Sequence, residues 1–191
     1  MEFQLQRQLG YASGNLGKSL MWTSLDYLLL FYLTEVAGIP VGWAGAIILL
    51  SLLWDAAINP FIGYWIDRRA AAGLDYRPFL RWAPVASGIG FVALFWLPSE
   101  QTVINAAYLL FAMLGFRTAY ALLDVPHNAL LAHMPVTSAM RMRLAGMRFF
   151  FSSLGGLIVA TLVAPQFIRT DTASVGGSLL MMATIAAVIL C

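Results

Sequence analysis

Apolar stretches of bilayer-crossing length recur along the whole chain, and they limit its fold more than any other feature. A spanning helix needs about 20 mostly apolar residues. On that measure the sequence predicts spans at about Tyr11–Val36, Trp43–Ile66, Phe79–Leu97, Val103–Leu131, Leu144–Phe167 and Val175–Cys191. Gly, Pro and polar residues punctuate the connections, as in Gly38-Ile39-Pro40, Pro98-Ser99-Glu100-Gln101 and Arg169-Thr170-Asp171. The expected fold is an all-α membrane protein, a single six-transmembrane-helix bundle over residues 1–191. Only 10% of the residues are charged and mean hydropathy is +0.80. A soluble domain is about a quarter charged, so this chain cannot clothe a water-facing surface.

The formal net charge of +2 is too small to suggest nucleic acid as a partner. The one cysteine, Cys191, excludes a disulfide within the chain and a cysteine-based zinc cluster. The polar start, with Glu2 and Arg7, lacks the apolar core of a signal peptide. Arg7, Arg68, Arg69, Arg77, Arg81, Arg141 and Arg143 fall on one side of the expected topology, and Arg169 alone on the other. Positive loops stay inside, so the N-terminus is expected in the cytoplasm of a multi-pass protein of the cell (inner) membrane. The last span ends at Cys191 without a polar flank, which predicts a fragment, a half-length product, or a half that pairs with another half or a second copy.

Six charged residues fall well inside the expected spans, away from their ends: Lys18, Asp26, Asp55, Arg117, Asp124 and Arg148. Each costs about 2.5–3.5 kcal/mol when facing lipid at a helix centre. Three are basic and three acidic, so they are expected to face one another or a shared internal cavity. With a rise of about 1.5 Å per residue, Lys18, Asp55, Asp124 and Arg148 fall at a similar depth, between the midplane and the inner third. Asp55 and Asn59 are one turn apart and share a face, which Gly63 and Asp67 continue. Pro60 and Pro126 each release the carbonyl four residues earlier, at Ala56 and Leu122. Such carbonyls serve either as oxygen ligands for a small cation or as acceptors within a simple kink. His127 follows Asp124 by three residues; it reads as a packed polar side chain more readily than as a proton relay. Gly10 with Gly14, and Gly155-Gly156, suit close helix packing but equally the general abundance of Gly in membrane helices.

Several segments carry a family resemblance. Trp54-Asp55-Ala56-Ala57-Ile58-Asn59-Pro60, then Gly63 and Asp67-Arg68, resembles helix two of the glycoside–pentoside–hexuronide:cation symporters. Gly63-x-x-x-Asp67-Arg68-Arg69 is similar to the loop signature of the wider major facilitator superfamily. Tyr11-x-x-Gly14-x-x-Gly17-Lys18, Phe31–Gly38, Gly73-x-x-x-Arg77-Pro78, Asp124-Val125-Pro126, Arg143-Leu144 and Arg148-Phe149-Phe150 follow in the same order. The ordered set resembles the N-terminal half of a twelve-helix transporter.

The resemblance implies symport of a sugar or glycoside with Na+ or H+, without any other cofactor. It implies cation coupling, including a possible Na+ site, at Asp55, Asn59 and Asp124. It implies a solute site at Lys18, Asp124, Arg148 and Asn128. Gly63, Asp67, Arg68, Arg77, Arg141 and Arg143 would hold the cytoplasmic gating loops. Asn59 stands where the family carries a second acid, which weakens a sodium site and favours a proton. Ser19 stands where an acid follows the lysine, and Asp26 and Arg117 are additions to the pattern. A lipid or lysolipid transporter on the same scaffold and a non-transporting truncated subunit are the alternatives. An enzyme is not expected, because no metal cluster, nucleophile triad or phosphate loop is present in the sequence.

Overall fold

The computed structural model describes residues 2–73, 77–97, 101–133 and 137–165. They form five helices: α1 (Glu2–Phe31), α2 (Val41–Ala71), α3 (Arg77–Leu94), α4 (Thr102–His133) and α5 (Ser138–Ile158). α1 and α5 each run on into one π-helical turn, Tyr32–Val36 and Val159–Val163. The sixth expected span, Val175–Cys191, lies outside the described residues, as does Arg169. The chain is therefore all-helical among the described residues, with five of the six expected helices described.

Among the described residues, three helical stretches are long and apolar enough to cross a membrane: Val41–Ala71, Thr102–Leu131 and Ser138–Val163. α1 and α3, read from the sequence as spans, fall short of the same standard by composition. Their polar content explains this. α1 carries Asn15, Lys18, Ser19 and Asp26, and α3 begins with Arg77 and Arg81. α1 also begins at Glu2 rather than near Tyr11. A helix needs local backbone bonds, not apolarity, so apolar content marks the lipid-facing part and not the helical boundary. α2, at 31 residues, is about 46 Å long and outreaches a hydrocarbon core of about 30 Å.

Local chemistry ends the helices. Gly38 adopts φ 64°, a left-handed value that glycine takes at little cost, and reverses the chain after the first π turn. The Ala37 and Ile39 amides return to the Tyr32 and Leu33 carbonyls at 2.9 Å each, and Pro40 then opens α2. Gly73 (φ 69°) closes α2 in the same way. Thr137 caps α5, its hydroxyl accepting from the Met140 amide at 3.3 Å. Pro60, Pro84 and Pro126 sit inside continuous helices.

α1 lies along α5, α3 along α4, and α2 against α4. The main core joins Met21, Leu25, Leu29 and Leu33 of the first helix to Phe91, Leu109, Met113 and Phe116. A smaller cluster of Ile62, Ile66 and Ala121 pins α2 to α4. Small residues set the closest approaches. A Cβ on Gly155 would sit 2.9 Å from Ser19 Cβ and 3.0 Å from the Leu16 carbonyl, so α5 touches α1 nearly backbone to backbone. The Ser19 hydroxyl uses that closeness to donate to the Ser152 carbonyl at 2.6 Å. A Cβ on Gly14 would lie 3.7 Å from the His127 ring, and one on Gly10 would meet nothing within 4 Å. The packing reading thus holds for Gly155 and Gly14 and not for Gly10.

Candidate functional site

The helix contacts bring three polar stripes together. On α1 the stripe is Tyr11, Asn15, Lys18 and Trp22; on α2 it is Ser51, Asp55 and Asn59; on α4 it is Arg117, Tyr120, Asp124 and His127-Asn128. Spacings of three and four keep each set on one helix face. Arg148 reaches the same region from α5.

The first cluster is a closed ring of contacts. Lys18 is buried, and its Nζ donates to Asp124 Oδ1 at 2.7 Å and to His127 Nδ1 at 2.9 Å. His127 Nε2 lies 3.1 Å from the Tyr11 carbonyl. An ammonium cannot accept and a carbonyl cannot donate, so these contacts assign the neutral ring with its proton on Nε2. The Tyr11 hydroxyl donates to the His127 carbonyl at 2.8 Å and accepts from Arg148 Nη1 at 3.3 Å. Arg148 Nη2 donates to Asn128 Oδ1, and Asn128 Nδ2 donates to Asp124 Oδ2 at 2.8 Å. Arg148 Nε also reaches Asn15 Oδ1 at 3.3 Å. All four residues assigned to the solute by resemblance, Lys18, Asp124, Asn128 and Arg148, stand in this ring.

The second cluster centres on Arg117. Its Nε donates to Ser51 Oγ at 3.1 Å, its Nη1 lies 3.8 Å from Asp55 Oδ2, and its guanidinium lies over the Trp22 ring at 5.1 Å. Asn59 Nδ2 donates to the Asp55 carbonyl at 2.9 Å. A cavity of about 230 Å³ opens beside this cluster, lined by Trp22, Asp55, Asn59, Tyr120 and Asp124. The three residues expected to couple a cation therefore share one cavity. A second cavity, of about 200 Å³, is lined by Gly10, Tyr11, Gly14, Lys18, Pro84, Leu123 and His127. The Lys18–Asp124 pair stands between the two, with Lys18 on one wall and Asp124 on the other.

Four of the six intramembrane charges thus form two ion pairs, and Arg148 is held by neutral oxygens. Asp26 is exposed on α1, and its charge acts on Arg117 of the second cluster. Of the residues expected at the cytoplasmic loops, Gly63, Asp67, Arg68, Arg141 and Arg143 stay apart from both clusters. Gly63 is half-buried on α2, Asp67 and Arg68 are exposed at its end, and Arg141 and Arg143 are exposed in the first turns of α5. Arg77 opens α3. No group of three or more His, Cys, Asp or Glu side chains suited to a metal occurs among the described residues. A small cation in the cavity would depend on two carboxylates and amide or carbonyl oxygens.

Sequence reasoning missed Tyr11, Asn15, Ser51 and Tyr120 as site residues. The signal for them was present as helical spacing, each standing one or two turns from a charged residue on the same face.

The chain is similar to known proteins. Residues 10–191 match the family described as MFS/sugar transport protein. The chain is 28% identical over 162 residues to an uncharacterized symporter, YnaJ, of Bacillus subtilis (strain 168), covering 85% of this chain and 35% of that protein. It is 26% identical over 188 residues to the isoprimeverose transporter of Lactiplantibacillus pentosus, covering 95% and 39%. It is 29% identical over 161 residues to the glucuronide carrier protein homolog of Escherichia coli (strain K12), covering 83% and 35%. The chain thus spans little more than a third of the length of these relatives. The match along nearly its whole length, with the charged helical stripes it contains, establishes that the chain belongs to the MFS/sugar transport family of the major facilitator superfamily, a family of membrane transporters and not of enzymes.

Proposed function

We propose that this chain forms the N-terminal half of a secondary active transporter that moves a sugar or glycoside in symport with a cation, Na+ or H+. The observation that carries the reading is the double commitment of Asp124. One oxygen pairs with Lys18, the other accepts from Asn128 beside Arg148, and the same side chain lines the cavity that holds Asp55 and Asn59. A solute that engages Lys18, Asn128 or Arg148 changes the field at Asp124, and so changes the affinity of the cavity for a cation. That is the linkage a symporter needs, since each ligand must alter the binding of the other.

The lining also suits a sugar. Trp22 and Tyr120 stand with ring centroids 5.1 Å apart beside carboxylate and amide groups. An aromatic wall takes the apolar face of a pyranose, while the polar groups take its hydroxyls. The names of two relatives, an isoprimeverose transporter and a glucuronide carrier protein homolog, support the same solute class. Alternating access requires a second bundle facing this one, supplied by further helices of a longer chain, by another half or by a second copy. In the proposed topology the N-terminus is cytoplasmic in the inner membrane, and Gly63, Asp67, Arg68, Arg77, Arg141 and Arg143 guide the cytoplasmic loops as the halves rock.

Uptake of a panel of labelled glycosides by cells expressing the complete transporter tests the proposal. Asp55→Asn and Asp124→Asn are each expected to collapse uptake while the protein still reaches the membrane. Normal uptake by both variants at normal abundance would reject the coupling role.

A further inference from the structure

Within the proposed symporter one buried charged side chain beside the cavity takes no part in the Lys18 ring. Arg117 is 3% exposed, two helical turns before Asp124 on α4. Three side chains from two neighbouring helices hold its guanidinium: Ser51 accepts from Nε, Asp55 faces Nη1 from one turn further along α2, and Trp22 of α1 lies beneath the plane. Nη1 is buried and makes no hydrogen bond, so it is compensated chiefly by the field of the Asp55 carboxylate at 3.8 Å. Asp26 adds to the negative field at Arg117 but is exposed on α1, outside the cavity lining.

We infer that Arg117 is the resident counter-cation of Asp55 and bars sodium and other alkali-metal ions from the cavity. A guanidinium does not give up its proton in a protein, so its charge is permanent. Its three-sided anchorage keeps that charge beside Asp55. A metal ion arriving at Asp55 meets a carboxylate already neutralised and a like charge a few ångströms away. The neighbouring position supplies no second acid, because Asn59 brings a neutral amide whose nitrogen is committed to the Asp55 carbonyl. Arg117 therefore decides ion specificity: coupling does not run through a metal ion held at Asp55.

Binding of radioactive sodium to the purified complete transporter, against a choline background, reads this directly and without transport. The unsubstituted protein should show no saturable sodium binding up to about 0.15 M, the physiological ionic strength. Arg117→Gln should create saturable binding with an affinity at least about tenfold higher, Arg117→Lys should not, and Asp55→Asn added to Arg117→Gln should abolish the gain. Saturable binding by the unsubstituted protein that Asp55→Asn removes would overturn the inference, as would a folded Arg117→Gln protein without the gain. If Arg117→Gln does not fold, the unsubstituted protein decides alone, by the presence or absence of Asp55-dependent binding. Uptake that is lost on Asp124→Asn while Arg117→Gln gains no sodium binding would uphold the transport reading and reject this one.

Discussion

Replacing Asp124 with Asn removes the anionic partner of Lys18, whose side chain is 5% exposed against 34% for that of Asp124. Breaking a buried ion pair by removing one member costs about 3–5 kcal/mol, chiefly because the remaining charge is left uncompensated. The orphaned ammonium still has His127 Nδ1 at 2.9 Å, which places Asp124→Asn near the lower end, at about 3 kcal/mol. Lys18→Met leaves a different orphan. Asp124 keeps water at a third of its surface and the amide of Asn128 at 2.8 Å, so the cost should be about 1–2 kcal/mol. The double variant removes both charges and should be more stable than the two losses summed, by about 1–2 kcal/mol. Reversible unfolding of the complete transporter in mixed micelles, at fixed lipid composition, measures all four corners of this cycle. Additive losses would refute the pairing, and a larger loss for Lys18→Met than for Asp124→Asn would refute the argument from burial.

Gly155→Ala places a methyl group 2.9 Å from Ser19 Cβ and 3.0 Å from a backbone carbonyl; overpacking of this kind costs about 1–3 kcal/mol, and an unfolding midpoint equal to that of Gly45→Ala, where nothing lies within 4 Å, would disprove the tight α1–α5 contact. Asn128→Leu cuts the bridge between Asp124 and Arg148 without removing a charge; uptake should need a higher solute concentration for half-saturation, and an unchanged uptake curve would remove Asn128 from the solute site.

Part of the site was legible as spacing. Lys18, Asp55, Asp124 and Arg148 stood out because a charge in an apolar helix is costly unless something answers it. The equal number of acids and bases implied pairing, and two pairs are present. The identity of the partners was not legible. Lys18 and Asp124 are 106 residues apart and meet only because α1 and α4 bring those turns together. Asp26 shows the limit of the charge argument: it has the same chemistry as Asp55 but is exposed on α1, where Asp55 is half-buried. A one-dimensional pattern gives the face of each helix but not the rotation of that helix against its neighbours. His127 illustrates the same limit, since its tautomer follows from Lys18 and the Tyr11 carbonyl, groups more than 100 residues away.

The order of residues alone determined that this chain belongs in a bilayer, that its helices bear charged stripes, and that residues 10–191 match a family of sugar transporters. Hydropathy and helical period are local quantities, carried by residues within a few turns of one another. Only the tertiary structure decided that Arg117 lies opposite Asp55, that Asp124 is shared between Lys18 and a cavity, and that α1 and α5 approach nearly to backbone contact at Gly155. Electrostatic energy falls with distance, so the charge that answers a buried group is set by helix packing and not by position in the chain.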